Sequence, residues 1–229
     1  MSQDNSLVPL EVGVSKYGTD DAFSELATAS NFLPRLQLFG ANSDLVKKGK
    51  FPMAHWGLVT QKDQADDLGE TVDLIPVTWR PKAMRIDGGE GGNPIAFYNP
   101  KSPEFVQVQQ DSEKPNSGCM FGLEFLCYVP SVRRFASYFM SSKTSRRQAP
   151  EMRALLRQGA TLKITLIETS QYSWHGPIVT KFHGTFSDLP SKEEFVKQAD
   201  AFNNPDESST DFNPEKLEAD KAREQARAR

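Results

Sequence analysis

FGLEFLCYVPSVRRFASYFM, residues 121–140, is the stretch on which the fold turns. It reads as two strands, 121–129 and 134–140, joined by a turn around Pro130-Ser131. In the second strand Phe135, Ser137 and Phe139 alternate with Ala136, Tyr138 and Met140, so one set must line the core. The expectation is Phe135 and Phe139 inside, with Tyr138 on the outer face. Glu124 alternates with Phe125 and is expected to face solvent.

Downstream, Pro150 fits the first turn of a helix, where its missing N–H costs nothing. Met152, Leu155 and Leu156 make a short apolar stripe, and Gly159 ends it. An earlier start, with Ser145 and Gln148 as a capping box, would leave Pro150 inside the helix and is disfavoured. ATLKITLIE (160–168) then alternates as a strand, and YSWHGPIVTKFHG (172–184) supplies another.

Upstream, ordered structure begins at FLPRLQLFG (32–40), and HWGLVT (55–60) is a short strand. After a turn at Leu68-Gly69, ETVDLIPVTWRPKAMRI is rich in strand formers. Pro76 and Pro81 place it at a sheet edge or bulge, since neither donates to a ladder. GGEGGNP (88–94) and DSEKPNSG (111–118) are loops, and IAFY and EFVQVQ are short strands. Ser191 and Glu194 form a capping box for a last helix, on which Phe195, Ala199 and Phe202 share a face. The expected organisation is a flexible acidic arm (1–30), a β domain (31–187), a docked helix (188–204) and a flexible charged tail (205–229).

From 121 to 184 the order is strand, strand, helix, strand, strand, with more strands upstream. A mainly β chain with a helix between its third and fourth strands has the layout of an OB-type Greek-key β-barrel, here with inserted loops and a C-terminal helix. In that topology the chain resembles the elaborated OB-fold proteins with which tailed phages coat single-stranded DNA. The resemblance implies a basic, aromatic-bearing barrel face and an acidic C-terminal tail. This tail is acidic through Asp220 but finishes KAREQARAR, a departure from that pattern.

Charge supports the same direction. The chain carries a formal −3, yet the acids gather at its ends. Residues 1–30 hold one Lys against five acids, and 188–229 hold seven cations against eleven, leaving 19 cations against 14 acids for 31–187. Within 133–163, eight cations face only Glu151. A basic body with acidic ends suits an anionic partner.

Other chemistry finds little in the pattern. No phosphate-binding GxxxxGK[ST] loop is present. Cys119/Cys127 and His175/His183 match none of the short spacings of zinc sites. Glu113, Glu124, Glu151 and Glu168 are the only acids from 112 to 187, too sparse to suggest paired-carboxylate catalysis. No cofactor, metal or enzymatic activity is expected. MSQDNSLVPLEV lacks a basic region followed by an apolar stretch, and no apolar run reaches membrane length, so a cytoplasmic protein without membrane contact is expected.

Single-strand binding needs cations along phosphates and aromatic faces for bases. The candidate cations are Arg80, Lys82, Arg85, Arg133, Arg134, Lys143, Arg146, Arg147 and Lys181; the candidate aromatics are Trp79, Tyr138, Tyr172 and Trp174. Arg146 and Arg147 are placed just ahead of the helix N-terminus, where free N–H groups favour anions. Trp79 and Trp174 are each open to a core role instead. The expected function is non-catalytic, sequence-tolerant binding of single-stranded DNA in phage replication or recombination, with replication or recombination proteins met through the C-terminal tail. The alternatives are a virion or host-interaction protein whose basic patch meets an acidic partner, and a nucleic-acid-processing enzyme with acids drawn from the upstream half.

Overall fold

The computed structural model describes residues 33–61, 64–86 and 94–204. The N-terminal arm, the glycine-rich loop at 87–93 and the tail from 205 lie outside them. The described elements belong to one compact unit that begins at Pro34.

The strands are β1 (Arg35–Phe39), β2 (His55–Gln61), β3 (Gln64–Gly69), β4 (Thr71–Arg85), β5 (Ile95–Phe97), β6 (Cys119–Val129), β7 (Arg134–Met140), β8 (Ala160–Glu168) and β9 (Ser173–Lys181). The helices are α1 (Asp44–Lys47), α2 (Pro103–Asp111), α3 (Lys143–Ala154) and α4 (Lys192–Asn203). The chain is mainly β. Among the described residues nine strands form one open mixed sheet in the order β3-β2-β1-β7-β6-β4-β8-β9, with β5 attached to β4. β1 and β7 run parallel; the other described pairs are antiparallel. The pairing leaves β3 and β9 at the two ends of the sheet, so the ladder does not close on itself.

β4 organises the sheet. Its first four residues pair with β8 and the rest with β6. A bulge between Pro76 and Thr78 interrupts the β6-paired stretch near its start. One extra residue reverses the facing of everything after it. Val72 and Leu74 point into the main core before the bulge, and Trp79 does so after it, which turns Arg80 and Lys82 to the opposite face. Pro76 and Pro81 fit because β8 reaches only as far as Leu74 and β5 begins only at Ala83, so residues between are laddered on the β6 side alone.

β6 is buried on both faces, which explains its nearly unbroken apolar run. Phe125, Cys127 and Val129 enter the main core with Trp56, Leu58, Ala136, Tyr138 and Met140. Glu124, Leu126 and Tyr128 point the other way and are also buried. The expected facing of β7 is therefore reversed. Tyr138 is only 5 % exposed and meets Trp56 edge-on at 5.5 Å, while Phe135 lies on the outer face. There Phe195 of α4 covers both Phe135 and Tyr128, at 5.5 and 5.7 Å. An aromatic lid elsewhere in sequence thus satisfies the set assigned to the interior. Burying each such ring is worth about 1.5–3 kcal/mol.

Two helices depart from expectation. EFVQVQ belongs to α2, not to a strand. Ser102 Oγ accepts from the Phe105 amide, Pro103 sits in the first turn, and Phe105 and Val108 form the buried stripe at i, i+3. α3 starts at Lys143, with Ser142 Oγ accepting from the Ser145 amide at 3.1 Å, so Pro150 falls inside it. The cap, together with the buried stripe Ser145, Ala149 and Met152, outweighs the proline penalty. At α4, Ser191 Oγ accepts from the Glu194 amide, as its capping position requires.

Candidate functional site

The predicted cations separate into three groups. Arg80 and Lys82 are held by Glu124, Arg80 beneath α4 as well. The Arg80 guanidinium meets Glu124 at 2.8 Å, lies 3.7 Å from the Tyr98 ring centre and 4.0 Å from that of Phe202, and donates to the Phe202 carbonyl. Lys82 bonds the other Glu124 oxygen and faces the Phe139 ring at 5.1 Å. Glu124 is therefore a buried counter-ion, not a solvent-facing residue, and Arg80 ties the sheet to the last helix. Asn203 adds a bond to Thr78 Oγ1. Neither Arg80 nor Lys82 is presented to a ligand. Trp79 is likewise engaged: it packs on the main core, with the Arg153 guanidinium 4.4 Å from its ring centre.

Arg133, Arg134 and Lys181 are exposed but lie at the far ends of their strands. Arg134 begins β7 and Arg133 directly precedes it, whereas α3 follows the strand's end, about 20 Å away at ~3.3 Å per residue. Arg133 pairs with Asp188 at 3.0 Å, a pair exposed on both sides. Lys181 ends β9, at the opposite end from Trp174. Arg85 ends β4, opposite Cys119 and exposed.

The third group lies on α3, which borders a cleft of about 430 Å³ lined among others by Arg35, Gln37, Phe139, Thr144, Trp174 and His175. α3 forms one wall. Lys143 and Arg147, four residues apart on one helix face, are exposed and have no ion-pair partner among the described residues. Arg146 turns inward instead, donating to the Phe121 carbonyl at 3.2 Å. Next to α3, Trp174, which lines the cleft, is 38 % exposed, and Tyr172, just ahead of β9, is 65 % exposed. Their rings stand 6.1 Å apart.

No family model, curated protein or solved structure matches this chain. Its own geometry is the guide to its function.

Three contacts fix α3 to β9. Gln148 Oε1 accepts from the Val179 amide at 3.1 Å, which covers part of the free sheet edge. The Trp174 indole donates from Nε1 to Thr144 Oγ1 at 3.3 Å. Gly176 lets the helix approach: a Cβ there would stand 2.6 Å from the Thr144 methyl. The Thr169–Tyr172 turn is also bonded, with Thr169 Oγ1 donating to the Tyr172 carbonyl at 2.8 Å and the Tyr172 amide bonding back to that oxygen at 3.2 Å. The exposed aromatics thus stand on a fixed backbone.

Residues that sequence reasoning missed are Arg35, Thr144 and His175 as parts of the site. Arg35 gave one signal, a lone cation at the start of the short strand RLQLF. Thr144 gave none, since its role depends on Trp174 thirty residues away. Cys127 is buried in the core, where desolvation holds its thiol well above the ordinary range, and it has no part in the cleft. Among the described residues no three His, Cys, Asp or Glu side chains gather to hold a metal ion, and no helix is long and apolar enough to cross a membrane.

Proposed function

We propose that this chain binds single-stranded nucleic acid, DNA in the first instance, without catalysis and without strong sequence preference, as a coating protein of phage-type replication or recombination. The observation that carries this reading is the pair of exposed rings, Tyr172 and Trp174, packed beside α3, on which Lys143 and Arg147 stand exposed and without an ion-pair partner among the described residues. Aromatic platforms beside a basic track are what unpaired bases and their phosphates require. Duplex DNA hides its base faces and would gain only the charge term.

The fold reading belongs to the same proposal. β4, β6, β7, α3, β8 and β9 are taken as a partly open OB-type barrel. In support, β4 is shared between β6 and β8, and α3 follows the third strand of that series. OB proteins bind through the face of their second and third strands and through the loop joining the fourth and fifth. Here that face is covered by α4, which leaves the β8–β9 turn, the loop that carries Tyr172.

The test is binding of a labelled oligothymidylate by the full chain across a salt series. With about four to six phosphates neutralised, log K falls against log[salt] with a slope of about −3 to −4. A flat response, or tighter binding of duplex than of single strand, overturns the reading.

A further inference from the structure

We propose that Tyr172 and Trp174 form a clamp that takes a single unpaired base between their rings, with Thr144 as the residue that positions the Trp jaw. The clamp rests on the single-strand reading and specifies how the site holds its ligand.

The spacing is the first reason. Residues two apart in extended chain share a face, about 6.6 Å apart at ~3.3 Å per residue. The two ring centres stand 6.1 Å apart, with their planes inclined at 44°. A base stacked on both faces at the ~3.4 Å rise of a nucleic-acid strand needs about 6.8 Å between its neighbours. Side-chain rotation alone can open the pair by that difference and bring the rings parallel. The gap then admits one base and not two. A base inside a duplex has neighbours on both faces, so only an unpaired base can enter.

The two jaws differ, which is the second reason. Trp174 is held by its bond to Thr144 Oγ1, and Thr144 is itself seated against Gly176. Tyr172 is fixed only through its backbone, in the Thr169 turn, while its ring is 65 % exposed. One jaw is preset and the other is free to swing. A purely structural aromatic pair would be covered from solvent, and these two rings are not. Every base offers a π-face, so the clamp is sequence-tolerant.

The experiment is a double-mutant cycle on the full chain: wild type, Tyr172→Leu, Trp174→Leu and the double variant. Affinity for labelled oligothymidylate and melting temperature are measured on all four. Each single variant is expected to lose about tenfold in affinity with an unchanged melting temperature. The double variant should lose clearly less than the product of the two, because both rings act on one base. Tyr172→Phe should keep near wild-type affinity. Thr144→Val should weaken binding several-fold in the wild-type background and not at all in Trp174→Leu. Losses that multiply mean two independent platforms and overturn the clamp while leaving the single-strand reading standing. So does a melting temperature that falls with each variant in step with affinity. A wild-type chain that does not bind oligothymidylate overturns both.

Discussion

Arg80 with Lys82, and Lys143 with Arg147, are two short cationic pairs that look alike in sequence and differ completely in the folded chain. The first pair shares one acid, Glu124, across the β4–β6 ladder, where Arg80 lies directly opposite Glu124. Aromatic rings and α4 then close over it. The second pair sits on an exposed helix face and makes no ion pair among the described residues, although Glu151 stands one turn beyond Arg147. Local charge density therefore says little about availability. What matters is whether the neighbouring strand brings an acid into register.

The comparison breaks most visibly at Glu124. Glu124→Gln leaves two cations in a site where they are about six-sevenths buried, and should cost about 3–5 kcal/mol of stability in denaturant unfolding. A loss below about 1 kcal/mol would mean that the pair is effectively solvated and that the contrast is unfounded. Replacing the three together, Arg80→Met, Lys82→Met and Glu124→Leu, should restore most of that stability, since apolar side chains of similar size need no counter-charge.

The next effect belongs to the exposed rings. Trp174→Ala should weaken oligothymidylate binding by about 1–3 kcal/mol with little change in melting temperature. Removal of a core Trp would instead cost about 3–5 kcal/mol of stability, so the two measurements made on one variant discriminate between the roles. Gly176→Ala sharpens the point. By forcing Thr144 away from β9 it should break the indole bond and reduce binding several-fold with Trp174 still in place.

A smaller change comes from Lys143→Ala with Arg147→Ala. Removing two phosphate-neutralising charges should flatten the salt slope by about 1.4 units and leave the unfolding midpoint unmoved. If this double variant unfolds instead, the two cations are structural after all. The smallest effect is expected at Arg133→Ala. Its pair with Asp188 is exposed on both sides, so stability should shift by less than about 1 kcal/mol, and binding should be unaffected given its distance from the cleft.

The sequence by itself determined most of the elements. The block from 121 to 184, the last helix with its Ser191 cap, the bulge-compatible prolines and the segregation of charge are local properties, set by periodicity, capping chemistry and composition. EFVQVQ misled because Val106 and Val108 alternate as in a strand, while the pair that is buried, Phe105 and Val108, follows the helical period. Tertiary structure alone decided the facing of β7, because Tyr128 and Phe135 acquire their cover from Phe195, about sixty residues on. It alone decided the fate of Arg80 and Lys82, since the β4 bulge turns them toward Glu124 and a single inserted residue is enough to exchange one face for the other. It also decided the site. Tyr172 and Trp174 were legible as candidates, but their exposure, the anchoring by Thr144 and the cleft beside them depend on how closely α3 approaches β9. That approach is set by the bare Cα of Gly176 and the bond from Val179 to Gln148, contacts between segments that no sequence window spans.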